Sequence, residues 1–359
     1  MKKTLIALAA LAATGASFAQ VTLYGTVDTS LNYASSGALT KTFVAQSSNA
    51  SSKLGFTGVE DLGGGMKAVF KLEGGVNSDN GTGKATSTNN QSADIVSGGL
   101  TFQRYSYVGL AGNFGEIRLG RDYQTAFQDV QGATDPFGTN GPANLQNLTT
   151  KLGNGVNSAQ ASNAVGYISP VMGGATFKGQ VWQGENTQGP GATTAGDGYA
   201  VSVKYAAGPI FIAVGAQQTN GGAGAANTAD FTLTAFTGSY DFGMAKVNYT
   251  FSQEDFKTAA AQKNVANQLG VTVPMGAILI KGSYVNAVRS TGGVAIDQKA
   301  DMLGLGVDYN LSKRTAIYAQ YANVKNTDGS SYSSASYGVM EAKNGATSDA
   351  YAFGIKHAF

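Results

Sequence analysis

Side chains alternate in character with a period of two from residue 21 to the last residue. Val21, Leu23, Gly25, Val27, Thr29, Leu31 and Tyr33 share one face, and Thr22, Tyr24, Thr26, Asp28, Ser30 and Asn32 share the other. The pattern returns at the far end, where Tyr351, Phe353, Ile355, His357 and Phe359 oppose Ala352, Gly354, Lys356 and Ala358. Between them, Ala68, Phe70 and Leu72 oppose Lys67, Val69, Lys71 and Glu73, while Tyr105 and Tyr107 oppose Arg104 and Ser106. Val247, Tyr249 and Phe251 likewise oppose Lys246, Asn248 and Thr250. Such alternation marks β-strands with two unlike faces.

A soluble sandwich also alternates, but its polar face is usually rich in charge. Here that face is mostly Gly, Ser, Thr and Asn, and charged residues make up 13% of the chain, against about a quarter in soluble domains. The 50 Gly, 17 Tyr and 17 Phe fit a surface that partly faces lipid. After Gln20 there is no run of about 18 apolar residues; the nearest candidate, 271–280, contains Thr272, Pro274 and Gly276 and stops at Lys281. Inside lipid every backbone polar group must be paired, which helices and closed barrels achieve. Only the barrel hides its hydrophobicity in alternation.

The connections alternate in length. Tight-turn compositions stand at 60–64, 111–115, 169–173, 207–209, 240–243, 273–276 and 309–313. Long segments rich in Gly, Ser, Thr and Asn lie between them, such as 76–97, 124–160, 185–197 and 326–347. Seven short turns separated by eight long loops predict an all-β, transmembrane antiparallel barrel of about sixteen strands, with both termini on the short-turn side. No linker divides it, so residues 20–359 form one domain. The longest loop, 124–160, follows the fifth strand and holds Asp135-Pro136-Phe137-Gly138. Long loops without structure of their own are uncommon in compact domains. Phe127, Phe137, Leu145 and Leu148 give this one apolar anchors, which predicts that it packs against something.

The first nineteen residues read differently. Met1-Lys2-Lys3 is a basic start, residues 4–16 are apolar and small, and Ser17-Phe18-Ala19 is a small-x-small cleavage site. Residues 1–19 are therefore expected to be a signal peptide, removed after export with cleavage near Ala19. Without Lys2 and Lys3 the chain holds 22 basic and 22 acidic side chains. A neutral chain offers no basic stripe to nucleic acid. The absence of Cys removes disulfides, thiolate metal sites and Cys nucleophiles.

Several blocks resemble the general diffusion porins of Gram-negative bacteria, of the branch found in Neisseria, Bordetella and Burkholderia relatives. They are Val21-Thr22-Leu23-Tyr24-Gly25, Ser51-Ser52-Lys53-Leu54-Gly55-Phe56, Gly58 and Glu60-Asp61-Leu62-Gly63-Gly64-Gly65. Tyr107-Val108-Gly109-Leu110, Phe114-Gly115, Leu119-Gly120-Arg121 and Gly354-Ile355-Lys356-His357-Ala358-Phe359 complete the set. The resemblance implies a homotrimer of sixteen-stranded barrels, integral to the outer membrane among its lipids and lipopolysaccharide. It implies passive passage of ions and small hydrophilic solutes without a cofactor or metal, and a third external loop folded into the pore. It makes Phe359, the terminal aromatic, the signal read by the barrel-assembly machinery.

The resemblance also implies a constriction with bases on the wall, at Lys53, Arg104 and Arg121, facing an acid on the loop, Asp135. Strand parity adds Lys71 beside Lys53, with Lys67 and Glu73 on the same face, and turns Glu116 and Arg118 inward. By strict parity Arg121 would face lipid, which is costly near the midplane, so the chain is expected to leave the strand near Gly120. Two departures thin the basic ladder: Lys53 stands where the family usually has Arg, and Gln160 and Gly166 stand where arginines often precede Tyr167. A weak anion preference is expected.

Other functions fare worse. Barrel enzymes usually need a His general base, and the single His357 sits on the lipid parity beside Phe359; no Ser-His-Asp set can be assembled. Metal sites of His or Cys type are excluded similarly. Gly81-Thr82-Gly83-Lys84-Ala85 lacks the remaining residues of a phosphate loop. A sugar-specific channel would need an inward row of aromatics, and the Tyr and Phe fall mostly on the lipid parity, with Tyr24 an inward candidate. An adhesin without a pore would need a smaller or plugged barrel, against the length. No catalytic residue is expected.

Overall fold

The computed structural model describes residues 20–359 apart from 88–89, 91–94, 97–98, 150–158, 186–193, 222–229, 258–260, 293–296, 328 and 335–343. The expected signal peptide, 1–19, lies outside the described residues. The chain runs through β1 (Gln20–Ser36), β2 (Leu39–Gln46), β3 (Lys53–Gly63), β4 (Met66–Gly75), β5 (Thr86–Ser87), β6 (Ile95–Val96), β7 (Tyr105–Gly112) and β8 (Gly115–Tyr123). It continues through β9 (Gln160–Ile168), β10 (Ala175–Trp182), β11 (Gly198–Ala207), β12 (Ile210–Thr219), β13 (Phe231–Asp241) and β14 (Lys246–Phe256). The last strands are β15 (Gln262–Met275), β16 (Ile278–Thr291), β17 (Gln298–Asn310), β18 (Thr315–Thr327) and β19 (Ser348–Ala358). Among the described residues no helix is long and apolar enough to cross a membrane.

Each strand pairs antiparallel with its neighbours, β5 and β6 forming a separate small hairpin. β1 then closes on β19, from Thr26 opposite Ala358 to Ser36 opposite Ser348. β2 and β3 share one position beside β1: β2 pairs with its second half and β3 with its first. The result is a closed barrel of sixteen strand positions. Where β2 gives way to β3, residues 47–52 leave the wall through Ser47, whose φ is 62°. Asp28 holds this jog by accepting N–H bonds from Asn49 at 2.8 Å and Ala50 at 2.5 Å.

One face of the wall is apolar and exposed, with Leu31, Val108, Leu119, Val181, Leu269 and Phe353 among its side chains. The seven short turns join strands at one end, as expected. At the other end three of the eight connections are no longer than the longest short turn: residues 37–38 between β1 and β2, 257–261 between β14 and β15, and 292–297 between β16 and β17. Gly37, with φ 58°, supplies the left-handed conformation that lets the first hairpin turn so tightly.

The seam ends on Phe359. Its N–H and C=O exchange 3.1 Å hydrogen bonds with the C=O and N–H of Gly25. Its ring lies so close over Gly25 that a Cβ there would stand 2.4 Å from Phe359 Cζ. Deleting Phe359 removes two seam hydrogen bonds, each worth about 1 kcal/mol net, and touches nothing inside the barrel. The deletion is expected to lower the yield of folded, heat-modifiable protein in the outer membrane more than it changes single-channel conductance. A normal yield would sink that expectation.

Candidate functional site: the charged inner wall

The site is built where β3, β4, β7 and β8 turn their inner faces together. Glu73, near the end of β4, is 1% exposed. Arg104 Nε lies 2.5 Å from its Oε1, and Lys53 Nζ and Lys71 Nζ lie 3.8 and 3.7 Å from its Oε2. Tyr24 donates its hydroxyl to the same Oε2 at 2.7 Å. Three cations thus converge on one carboxylate. Arg104 reaches it because it precedes β7 in a bend, where strand parity does not apply; its N–H donates to Glu73 O at 3.1 Å. A buried carboxylate must be paired and hydrogen-bonded to remain charged, and Glu73 has both kinds of partner.

The neighbouring aromatics face inward too. Val108 and Leu110 occupy the outer face of β7, whereas Tyr105 is buried. Tyr105, Tyr107 and Tyr123 form a row with centroids 6.1 and 4.9 Å apart. Lys71 Nζ sits 3.8 Å above the Tyr105 ring, and Arg118 Cζ 4.5 Å above Tyr107, within reach of cation–π attraction. This row is an addition to the inward Tyr24 that the alternation identifies. It is not an open track, since Phe127 stacks on Tyr123 at 6.2 Å and 15°.

Arg118 and Arg121 stand apart from the Glu73 cluster. Arg118 is paired with Glu116 at 2.7 Å and Asp122 at 2.9 Å. Arg121 donates to Gln103 O at 2.5 Å and Ser162 Oγ at 2.6 Å. The strand does not end at Gly120, contrary to the expectation; β8 continues to Tyr123, and its register against β9 shifts between Gly120 and Asp122. Gly120 has φ 127°, and a Cβ there would stand 2.3 Å from Ser106 O. A bulge of this kind re-aims side chains without ending the strand, and it frees Arg121 from strict alternation.

Residues 124–149 run along the wall face opposite the apolar exterior. Asp129 pairs with Lys178 of β10 at 2.8 Å. Thr125 N–H donates to Gln180 Oε1 at 3.1 Å, and Gln131 Nε2 to Ser252 Oγ and Glu254 Oε1 at 2.8 and 3.0 Å. Asn264 Nδ2 donates to the carbonyls of Leu148 and Thr149 at 2.9 and 3.1 Å. Phe127 and Val130 are buried with Ala213, Phe231, Leu233, Ala235 and Phe256. Phe137, Leu145 and Leu148 are buried with Ala266, Val285, Ala287, Met302 and Ala322. The four anchors read from the sequence therefore have partners. Small residues let the segment approach in places: a Cβ on Gly304 would lie 2.7 Å from the Ala143 Cβ.

Asp135 is not brought to the bases Lys53, Arg104 and Arg121, as the resemblance would have it. Its Oδ1 and Oδ2 accept the N–H groups of Phe137 and Leu145, both at 2.8 Å. Pro136 and Gly138 bend the chain back on the carboxylate, which holds the segment's own fold. Its surroundings are Gln268 and Lys281. Lys281 pairs with Asp308 at 2.8 Å, and Lys356 approaches the same Asp308 at 3.5 Å. Both lysines also donate to Asn49 Oδ1 in the 47–52 jog, at 3.5 and 3.2 Å. This second charged centre was not predicted. Lys356 is visible on the inward parity of the last strand, but only the jog brings Asn49 to it.

Comparison with known proteins decides the family. The profile described as Gram-negative porin matches residues 4–329. Outer membrane porin protein 32 of Delftia acidovorans is 36% identical over 375 residues, spanning all of both chains. The chain belongs to the Gram-negative porin family. An outer membrane porin protein of Bordetella pertussis is 29% identical over 385 residues, covering 91% of this chain and 95% of that one. The anion-selective porin from Comamonas acidovorans superposes with a TM-score of 0.80 at 32% identity, covering 95% of this chain and all of that one. Family and barrel together make this an integral outer-membrane channel protein. In this porin, the Glu73 cluster gathers three cations on one buried carboxylate.

Proposed function

We propose that the barrel is a water-filled pore for unassisted diffusion of ions and small hydrophilic solutes, narrowed by residues 124–149 and weakly selective for anions. One observation carries the selectivity: Lys53, Lys71 and Arg104 face a single carboxylate, Glu73. The local excess is positive, and low-dielectric walls focus such a field enough to change local ion concentration ~10-fold or more. The similarity to an anion-selective porin supports the same sign. Arg118 adds little, because Glu116 and Asp122 balance it. Asp135 acts through the fold of the narrowing segment and not as the acid opposite the bases; Asp129, paired with Lys178, is the loop carboxylate on the wall. Export behind a cleaved residues 1–19 segment, assembly through Phe359 by the barrel-assembly machinery, a homotrimer and contact with lipopolysaccharide complete the reading.

A planar bilayer under a KCl gradient tests the proposal. Stepwise conductance with a zero-current potential of anionic sign is the expected result. Silent bilayers would defeat the pore, and a cationic sign would defeat the role given to the three bases.

A further inference from the structure

The short turns should be the wettest part of a barrel that ends in the periplasm, yet exposed apolar side chains stand at or beside most of their tips, among charged ones such as Asp61, Asp241, Lys313 and Arg314. Six of the seven carry a large apolar side chain at or beside the turn: Leu62, Phe114, Val171, Met244, Met275 and Leu311. All are exposed, Met244 at 79% and Val171 at 73%. The seventh turn is Gly208-Pro209. The tips are therefore distributed around the whole rim and form no one-sided patch.

The rim is continuous with the lipid-facing wall. Just above the turns the outer face carries Tyr167, Phe177, Tyr205, Tyr240, Tyr309 and Phe359, all exposed. Aromatics of this kind settle at the boundary of the hydrocarbon. From Tyr309 to Leu311 is two residues, and Tyr240 is two residues from Phe242, whose N–H bond to Ala245 O closes the turn that holds Met244. Tilted strands advance ~2.4 Å per residue along the barrel axis, so the tips lie roughly 5–8 Å beyond the girdle. The headgroup layer of one leaflet is roughly 5–8 Å deep.

From this geometry we infer that the short-turn rim is a lipid-binding surface, seated in the phospholipid headgroup layer of the periplasmic leaflet. The apolar tips then sit among the headgroups, just outside the acyl chains. The barrel is then anchored by its end as well as by its wall. The inference rests on the barrel standing in a membrane, and goes beyond the pore reading by fixing its depth.

The chain has no cysteine, so Met244→Cys and Val171→Cys each provide a single labelling site in the otherwise unchanged porin. The variants carry an environment-sensitive fluorophore and are reconstituted in phospholipid nanodiscs at one trimer per disc, with Lys257→Cys at the opposite end as reference. The expected result is blue-shifted emission at residues 244 and 171 relative to 257. Quenching there should be stronger by lipids spin-labelled near the headgroup than by lipids labelled at the chain end. Water-like emission at both positions would overturn the inference, as would a blue shift that appears only when several trimers share a disc, which would make the occupant a second trimer. Conductance of the same labelled variants, measured separately, reports on the pore whichever way the labels read.

Discussion

Glu73→Gln makes the pore more anion-selective, and neutralising Lys53, Lys71 and Arg104 together reverses its preference. The first change removes the one carboxylate shared by three cations at 2.5–3.8 Å; the second leaves that carboxylate alone in the field. Each shifts the anion-to-cation permeability ratio by ~10-fold, read from the zero-current potential under a KCl gradient. High salt should shrink both effects, since exposed charge is screened beyond about 10 Å at 0.1 M. Arg121→Ala is the useful contrast. Arg121 is tied to Gln103 O and Ser162 Oγ, so its loss should lower thermal stability and leave the potential nearly unchanged. A large shift from Arg121→Ala, with none from Arg104→Ala, would show that the constriction has been placed on the wrong residues.

Asp135→Ala is expected to loosen residues 124–149 and to give larger, noisier single-channel currents. It leaves the buried N–H groups of Phe137 and Leu145 without their acceptor, at about 1–3 kcal/mol each. Asp135→Asn keeps one acceptor and should fall nearer the wild type. The carboxyl also makes docking pH-dependent. Burial pushes its pKa up to about 6, although the N–H groups of Leu145 and Phe137, Gln268 and Lys281 pull the other way. The docked segment therefore holds this proton more tightly than a free one. Docking is strongest below the ordinary carboxylate pKa and weakens as pH rises through about 6. Current noise should grow between pH 4 and pH 7 in the wild type and stay flat in Asp135→Asn. A wild-type record without that trend, or quiet currents from Asp135→Ala, would remove Asp135 from this role.

The barrel is legible in the sequence because both of its faces are. Residues such as Leu31 and Phe353 alternate with Asn32 and Ala352, and turns such as Glu60-Asp61-Leu62-Gly63 bound the runs. The packing of 124–149 is legible from Phe127, Phe137, Leu145 and Leu148, which an unsupported loop would not carry. Its seat is harder to see. Ala266, Ala287 and Ala322 on the inward parity read as neutral spacers until the segment covers them. Parity fails wherever the backbone departs from a regular ladder. The bulge after Gly120 re-aims Arg121, the bend before β7 turns Arg104 toward Glu73, and the jog at 47–52 has no periodic signature. Glu73 itself reads as one wall charge among several, because alternation gives the face of a side chain and not which neighbours its length can reach. Asp135 is misplaced by the resemblance for a related reason: an Asp followed by Pro and Gly finds its own backbone N–H groups first.

The pairing of β1 with β19 sets the order of events in folding. Thr26 meets Ala358, and Gly25 meets Phe359, so the first strand to be synthesised waits for the last. Until then both carry a full row of unpaired N–H and C=O groups, each an edge open to strands of other chains. Such high contact order makes closure slow, and the exposed apolar face makes the waiting chain prone to aggregate. Whatever accompanies this chain to the membrane has to shield two strand edges for as long as the seam stays open.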